Sequence, residues 1–153
     1  MSSPEESVKA TLEKLGVPYE AIVIDPAFAD TAAFCEKYGF PLDRTCNTII
    51  VASKKEPKQF VACVVLAHTR LDVNKRVTKL MGVAKASFAS AEEMMMLTGM
   101  QVGGVTPFSL PSGVPLYVDD RIPLLDWIIL GGGGRRLKIK ASPAVFERLG
   151  AIY

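Results

Sequence analysis

The chain has 153 residues, 49% hydrophobic and 22% charged, which suits one soluble globular domain and excludes an intrinsically disordered chain. Its longest apolar runs (60–67 and 127–130) fall far short of the ~18 residues of a membrane span, its polar, acidic opening is no signal peptide, and three widely spaced cysteines make no disulfide framework, so the expected setting is a reducing cytoplasm. The net charge of +2 hides a split: residues 1–43 carry three basic and eight acidic side chains (net −5) and residues 44–153 carry fifteen and eight (net +7), either a basic face for a polyanion or ordinary solvated surface.

Ser3-Pro4-Glu5-Glu6 predicts a helix start, with serine as N-cap, proline at the first helical position and Glu6 closing a capping box. Val8, Leu12 and Leu15 keep helical spacing until Gly16 stops the helix. Residues 19–25 read as a short strand closed by Pro26, and Asp30 or Thr31 caps a second helix ending near Gly39. Residues 48–52 and 60–67 are apolar and β-branched, and the polar loop 53–58 joins them as a hairpin. Asp72 is expected to cap a helix running to Met81, and residues 84–88 to form a short strand. Ser90 and Glu93 make a second capping box, for a helix ending near Gly99. Residues 103–111 hold two glycines and two prolines without periodicity and read as a shaped loop. Strands follow at 116–118 and 127–130, then a four-glycine turn at 131–134, a returning strand at 137–140 and a last helix begun by Ser142-Pro143. Helices and strands are interspersed without regular alternation, which predicts an α+β fold with a mixed sheet, not a doubly wound one.

Several chemistries are excluded. His68 is the only histidine, and Cys35, Cys46 and Cys63 are too dispersed for a zinc site, so no metal is expected. There is no P-loop and no nucleophile elbow, and the glycines at 131–134 run into Arg135-Arg136 and a strand where a dinucleotide loop would open a helix, so no cofactor is expected either. His68 would have to be the base of any Ser or Cys triad, but its place at a strand-to-helix junction also suits a loop histidine bonded to backbone. Cys46 reads as a candidate nucleophile or as a small buried apolar residue. Met94-Met95-Met96 reads as helical core packing with one methionine exposed.

Three pieces far apart in sequence fall at strand ends or loops. They are Arg44-Thr45-Cys46-Asn47-Thr48-Ile49-Ile50-Val51, Gly103-Gly104-Val105-Thr106-Pro107-Phe108, and the turn at 131–134. In that order, with residues 60–82 between the first two, the chain resembles the YbaK family. That family includes the editing domain of prolyl-tRNA synthetase and free-standing trans-editing aminoacyl-tRNA deacylases. The resemblance runs across nearly the whole chain, and its most specific piece is the G-x-x-x-P loop matched by Gly103 and Pro107. It implies a mixed, barrel-like β-sheet flanked by helices, a single editing domain over residues 1–153, and hydrolysis of the ester between a wrong amino acid and the 3′-terminal adenosine of tRNA.

Such hydrolysis needs an activated water, a stabilised oxyanion and a positioned carbonyl. With no metal or triad, a substrate-assisted route is implied, in which the neighbouring ribose hydroxyl orients or activates water. The resemblance then assigns Gly103, Gly104, Thr106 and Pro107 to the scissile carbonyl, where successive backbone N–H groups can form a nest for negative charge. Asn47 and Thr45 would orient the terminal nucleotide, and Cys46, Phe28, Val105, Phe108, Gly131 and Gly132 would line the substrate pocket, with Phe34 a further candidate for amino-acid specificity. Lys54, Arg70, Lys75, Lys85, Arg135 and Arg136 are candidates for tRNA contact. Oligomeric state, monomer or homodimer, stays open.

The chain departs from the family at one position. Many members place a lysine on the first central strand to hold the tRNA end, and the matching residue is Asn47, which brings hydrogen bonds but no charge. Lys54, Lys55 or Lys85 could replace that charge. Two readings follow: a deacylase, or a binding module that keeps the fold and holds an aminoacyl-tRNA or small ligand without cutting it.

Overall fold

The computed structural model describes residues 3–101, 104–111 and 113–153. Helix α1 (Pro4–Leu15) starts as its sequence dictates, with Ser3 Oγ accepting from Glu6 N–H at 3.2 Å, and buries Val8 and Leu12. Strand β1 (Tyr19–Val23) leads through a short turn at Pro26–Phe28 to α2 (Thr31–Tyr38). The hairpin β2 (Cys46–Ser53) and β3 (Phe60–Leu66) follows, then α3 (Thr78–Met81), β4 (Ala86–Phe88) and α4 (Ala91–Thr98). Strands β5 (Leu116–Val118), β6 (Ile128–Gly131) and β7 (Leu137–Ala141) and helix α5 (Ala144–Arg148) complete the order.

The strands form two sheets. One is antiparallel with order β1-β7-β6; the other has order β4-β2-β3-β5 and is mixed, because β5 runs parallel to β3. Val8, Leu12, Ile50, Val64, Ile128, Leu130, Ile139 and Phe146 belong to the main buried core, which joins α1 and α5 to both sheets. Val73–Met81 packs on the far face of the mixed sheet over Val51, Val61 and Cys63, and α2 packs Phe34 and Cys35 against Ile24 and Ile129 of the antiparallel one.

The fold is α+β and mixed, as expected, but the sheets do not close into a barrel. Among the described residues they join at one parallel bridge, Thr45 to Ile129. Beyond it the main chain of Gly104 and Val105 packs over the face of β6 at Gly131. Three local expectations also shift. The helix predicted after Asp72 opens as a wide π turn at Val73–Val77, where Val73, Val77 and Thr78 are β-branched and Thr78 Oγ1 donates to the Asn74 carbonyl at 3.0 Å. The strand expected from residue 84 begins at Ala86. Met94 is buried while both Met95 and Met96 are exposed.

Candidate active site

The site begins with an uncovered strand edge. Even-numbered residues of β2 turn their main-chain groups away from β3, since the Ile50 carbonyl accepts from Ala89 N–H at 2.8 Å and Lys54 N–H donates to the Lys85 carbonyl at 3.1 Å. Strand β4 covers that edge only from Val51 to Ser53, and β6 meets it only at Thr45. The peptide groups of Thr48 therefore face a gap between the sheets, ready to bond a ligand.

That gap is a cavity of about 430 Å³. Its wall runs from Cys46 to Ile50 on β2, past Phe88, Ala89 and Met94, to Val105, Gly131 and Lys138, and closes at Asp30 and Thr31. One side is polar: Thr31 Oγ1 donates to Asn47 Oδ1 at 2.5 Å, which fixes the amide with its NH₂ end turned from Thr31. The other side is apolar, made of Ile50, Ala89, Met94 and Val105.

The glycines explain how the loop reaches the site. A Cβ on Gly131 would stand 2.5 Å from the Val105 carbonyl oxygen, and one on Gly104 would stand 2.4 Å from that of Gly134. Gly133 N–H donates to the Gly104 carbonyl at 2.6 Å, and Gln101 N–H donates to the Gly133 carbonyl at 3.1 Å. The four-glycine turn and the 104–105 segment thus pack backbone on backbone, which any side chain would prevent. Gly104 N–H donates to the Gln101 carbonyl at 2.9 Å, so it serves the loop rather than the cavity.

Of the residues singled out in the sequence, Asn47, Cys46, Val105 and Gly131 meet in the cavity wall. Gly103 lies outside the described residues. Thr106 is fully buried behind Val105, and its Oγ1 has no hydrogen-bond partner among the described residues. Pro107 opens a short turn and Phe108 sits in the main core. Thr45 is buried with its Oγ1 donating to the Pro41 carbonyl at 2.8 Å, Gly132 packs on Leu137, Phe34 belongs to the layer under α2, and Phe28 stands under Lys37 Nζ at 5.2 Å. Burial pushes the Cys46 thiol up to about 12, which keeps it protonated and unfit as a nucleophile. His68 is exposed and absent from the cavity wall.

The candidate tRNA contacts are scattered. Lys54, Arg70, Lys75 and Lys85 are exposed; Lys54 lies beyond the far end of β2, about 20 Å from Asn47 at ~3.3 Å per residue, and Lys85 lies beside it. Arg135 is tied to the protein, its guanidinium reaching Asp30 at 3.3 Å and the Pro26 carbonyl at 3.0 Å. Arg136 is exposed, its main-chain N–H donating to Glu5.

Sequence reasoning counted Lys138 only among the basic residues of 70–85 and 135–140 as candidates for the tRNA acceptor stem and missed its place in the cavity wall. Alternation along 137–140 places Leu137 and Ile139 inside and the lysines outside, yet Lys138 is only 5% exposed because α2 covers the second face of the sheet. Its Nζ donates to the Ala29 carbonyl at 2.7 Å and stands 5.4 Å from the Phe34 ring. Burial pushes its pKa down to about 8, against the opposing pull of the Asp30 carboxylate. Phe88, 60% exposed at the rim, was also missed, since an aromatic in a three-residue strand reads as packing.

Residues 25–149 match the model of the aminoacyl-tRNA editing domain family. The proline–tRNA ligase of Burkholderia multivorans is 26% identical over 117 residues, 74% of this chain and 20% of the ligase, and that of Burkholderia thailandensis is 26% identical over 123 residues, 78% and 21%. The chain thus spans about a fifth of the length of these curated relatives. Among solved structures, a protein described only as hypothetical superposes with a TM-score of 0.85 at 26% identity, covering 96% of both chains. A candidate trans-editing enzyme for prolyl tRNA synthetase has the same fold, with a TM-score of 0.83 at 23% identity over 99% of this chain and 95% of its own. The chain belongs to the aminoacyl-tRNA editing domain family.

Proposed function

We propose that this chain is a trans-editing deacylase that hydrolyses the ester between a wrong amino acid and the 3′-terminal adenosine of tRNA. The observation that carries the reading is the convergence of Asn47, Val105 and Gly131, remote in sequence, on one cavity large enough for an aminoacylated ribose. The proline–tRNA ligase relatives point to a tRNA used by that synthetase.

The Cys46 thiol in the wall stays protonated and does not serve as a nucleophile. The ribose hydroxyl next to the ester therefore orients the attacking water, and the protein contributes position and hydrogen bonds. Thr48 peptide groups and the Asn47 amide hold the ribose end, while the segment at Val105 fixes the carbonyl. With Gly104 N–H engaged by Gln101, the donors for the developing oxyanion come from the peptide groups that follow it.

Phe88 at the rim fits the terminal base as a stacking platform. Phe88→Ala is expected to raise KM about tenfold and change kcat less than about threefold, since stacking of one base contributes ~1–3 kcal/mol; steady-state deacylation kinetics check this.

Asn47 supports a second reading, a module that holds charged tRNA without cutting it. Assaying wild type and Asn47→Lys on mischarged tRNAs separates the two. Hydrolysis by the wild type supports the deacylase; binding without hydrolysis, with cleavage only by the variant, supports the binding module.

A further inference from the structure

Among the described residues lining the cavity, only Asp30 and Lys138 are charged. Arg135 pairs with Asp30 at 3.3 Å, so this wall keeps a net positive charge. Lys138 stands directly across the strand pair from Gly131, and side chains opposite each other in a ladder share a face. The missing side chain at Gly131 leaves the stem of Lys138 bordering the space beside Val105. The exposed lysines at 54 and 85 lie too far along β2 to act there, whereas Lys138 and Asn47 line the same cavity from different sheets. An ammonium in a confined, partly dry cavity attracts an anion more strongly than one in open water.

We propose that Lys138 supplies, from β7, the cation that Asn47 does not bring on β2, and that its ammonium anchors the phosphate of the substrate's terminal nucleotide. The inference rests on the deacylase reading of the same cavity. Lys138 faces Asp30 from the loop before α2, Cys35 from α2, Arg135 from the turn before β7 and Cys46 from β2 across the cavity. Burial holds the Cys46 thiol up at about 12 and Lys138 down at about 8, so anchoring is expected to weaken as the pH rises through about 8 and the ammonium loses its charge.

The test is deacylation kinetics and tRNA binding for wild type, Lys138→Met, Lys138→Arg and the double variant Asn47→Lys/Lys138→Met. Lys138→Met is expected to raise KM about tenfold or more with kcat within about threefold, and to make the log–log salt dependence of binding shallower by about 0.7, one single-stranded phosphate contact. Lys138→Arg should retain most of the affinity, and adding Asn47→Lys to Lys138→Met should restore much of it. Lys138→Gln, which keeps a donor for the Ala29 carbonyl, covers the case in which Lys138→Met does not fold. An unchanged KM and salt slope in the folded variant, or no recovery in the double variant, overturns the proposal. If the wild type hydrolyses nothing, the deacylase reading fails separately. Binding of a non-hydrolysable aminoacyl-tRNA analogue to the same variants then decides on Lys138: a loss of affinity in Lys138→Met supports it, and equal affinity overturns it.

Discussion

Gly131→Ala is expected to lower kcat/KM by about a hundredfold and to destabilise the fold by ~1–3 kcal/mol, the usual cost of forcing an extra methyl into a tight contact. The glycine is needed for close approach, because the new Cβ would stand 2.5 Å from the Val105 carbonyl oxygen and 2.9 Å from that of Gly104. Both obstacles are backbone, so relief requires the loop itself to move. Loop and turn are tied by the Gly133-to-Gly104 and Gln101-to-Gly133 hydrogen bonds, so the shift carries Val105 away from the cavity. A displacement near 1 Å at a group that positions the reacting carbonyl is enough for ~10²-fold in rate. Gly104→Ala meets Gly134 in the same interlock and should behave alike. Thermal melting and deacylation kinetics check both; normal activity in either variant would show that the loop has slack.

The stability of the wild type relative to Lys138→Met should rise by roughly 1 kcal/mol between about pH 8 and 9. The sign follows from the protonation of the two states. Burial lowers the Lys138 pKa to about 8 in the folded chain, while the unfolded lysine titrates at its ordinary value of 10.5. Between these values the unfolded state binds more protons, so raising the pH favours folding. Cys46 and Cys63 oppose it over the same window, because burial holds them at about 12 and about 11, above the ordinary 9.0, and the unfolded thiols lose protons that the folded ones keep. This offsets most of the rise in absolute stability, so the difference between wild type and variant carries the lysine's contribution. Denaturant unfolding at a series of pH values, wild type against Lys138→Met, isolates the lysine.

Local sequence signals and the site were legible to different degrees. The caps at Ser3 and Ser90, the stops at Gly16, Gly39 and Gly99, and the hairpin of β2 and β3 follow from propensity and turn chemistry within a few residues of chain. The burial of Lys138 was hidden because alternation in a strand reports one buried face, and this sheet is covered on both. The roles given to Thr45, Phe108 and Gly132 came from the resemblance, and their packing against Pro41, the main core and Leu137 depends on long-range contacts that a sequence does not show. Thr45 shares a strand face with Asn47, yet its hydroxyl is taken by the Pro41 carbonyl while Asn47 and Cys46 line the cavity. The barrel-like closure was misread because local signals place strands but not how far two of them stay paired, and β2 and β6 meet only at the Thr45–Ile129 bridge among the described residues.

The most direct measurement is single-turnover deacylation of a panel of mischarged tRNAs by the wild-type chain, each run beside the same tRNA ending in 2′- or 3′-deoxyadenosine. A substrate-assisted deacylase hydrolyses at least one normal substrate far faster than buffer alone and loses that acceleration when the hydroxyl beside the ester is removed. Folded protein that accelerates none of them, or that cleaves the deoxy substrates equally well, would contradict the proposed chemistry.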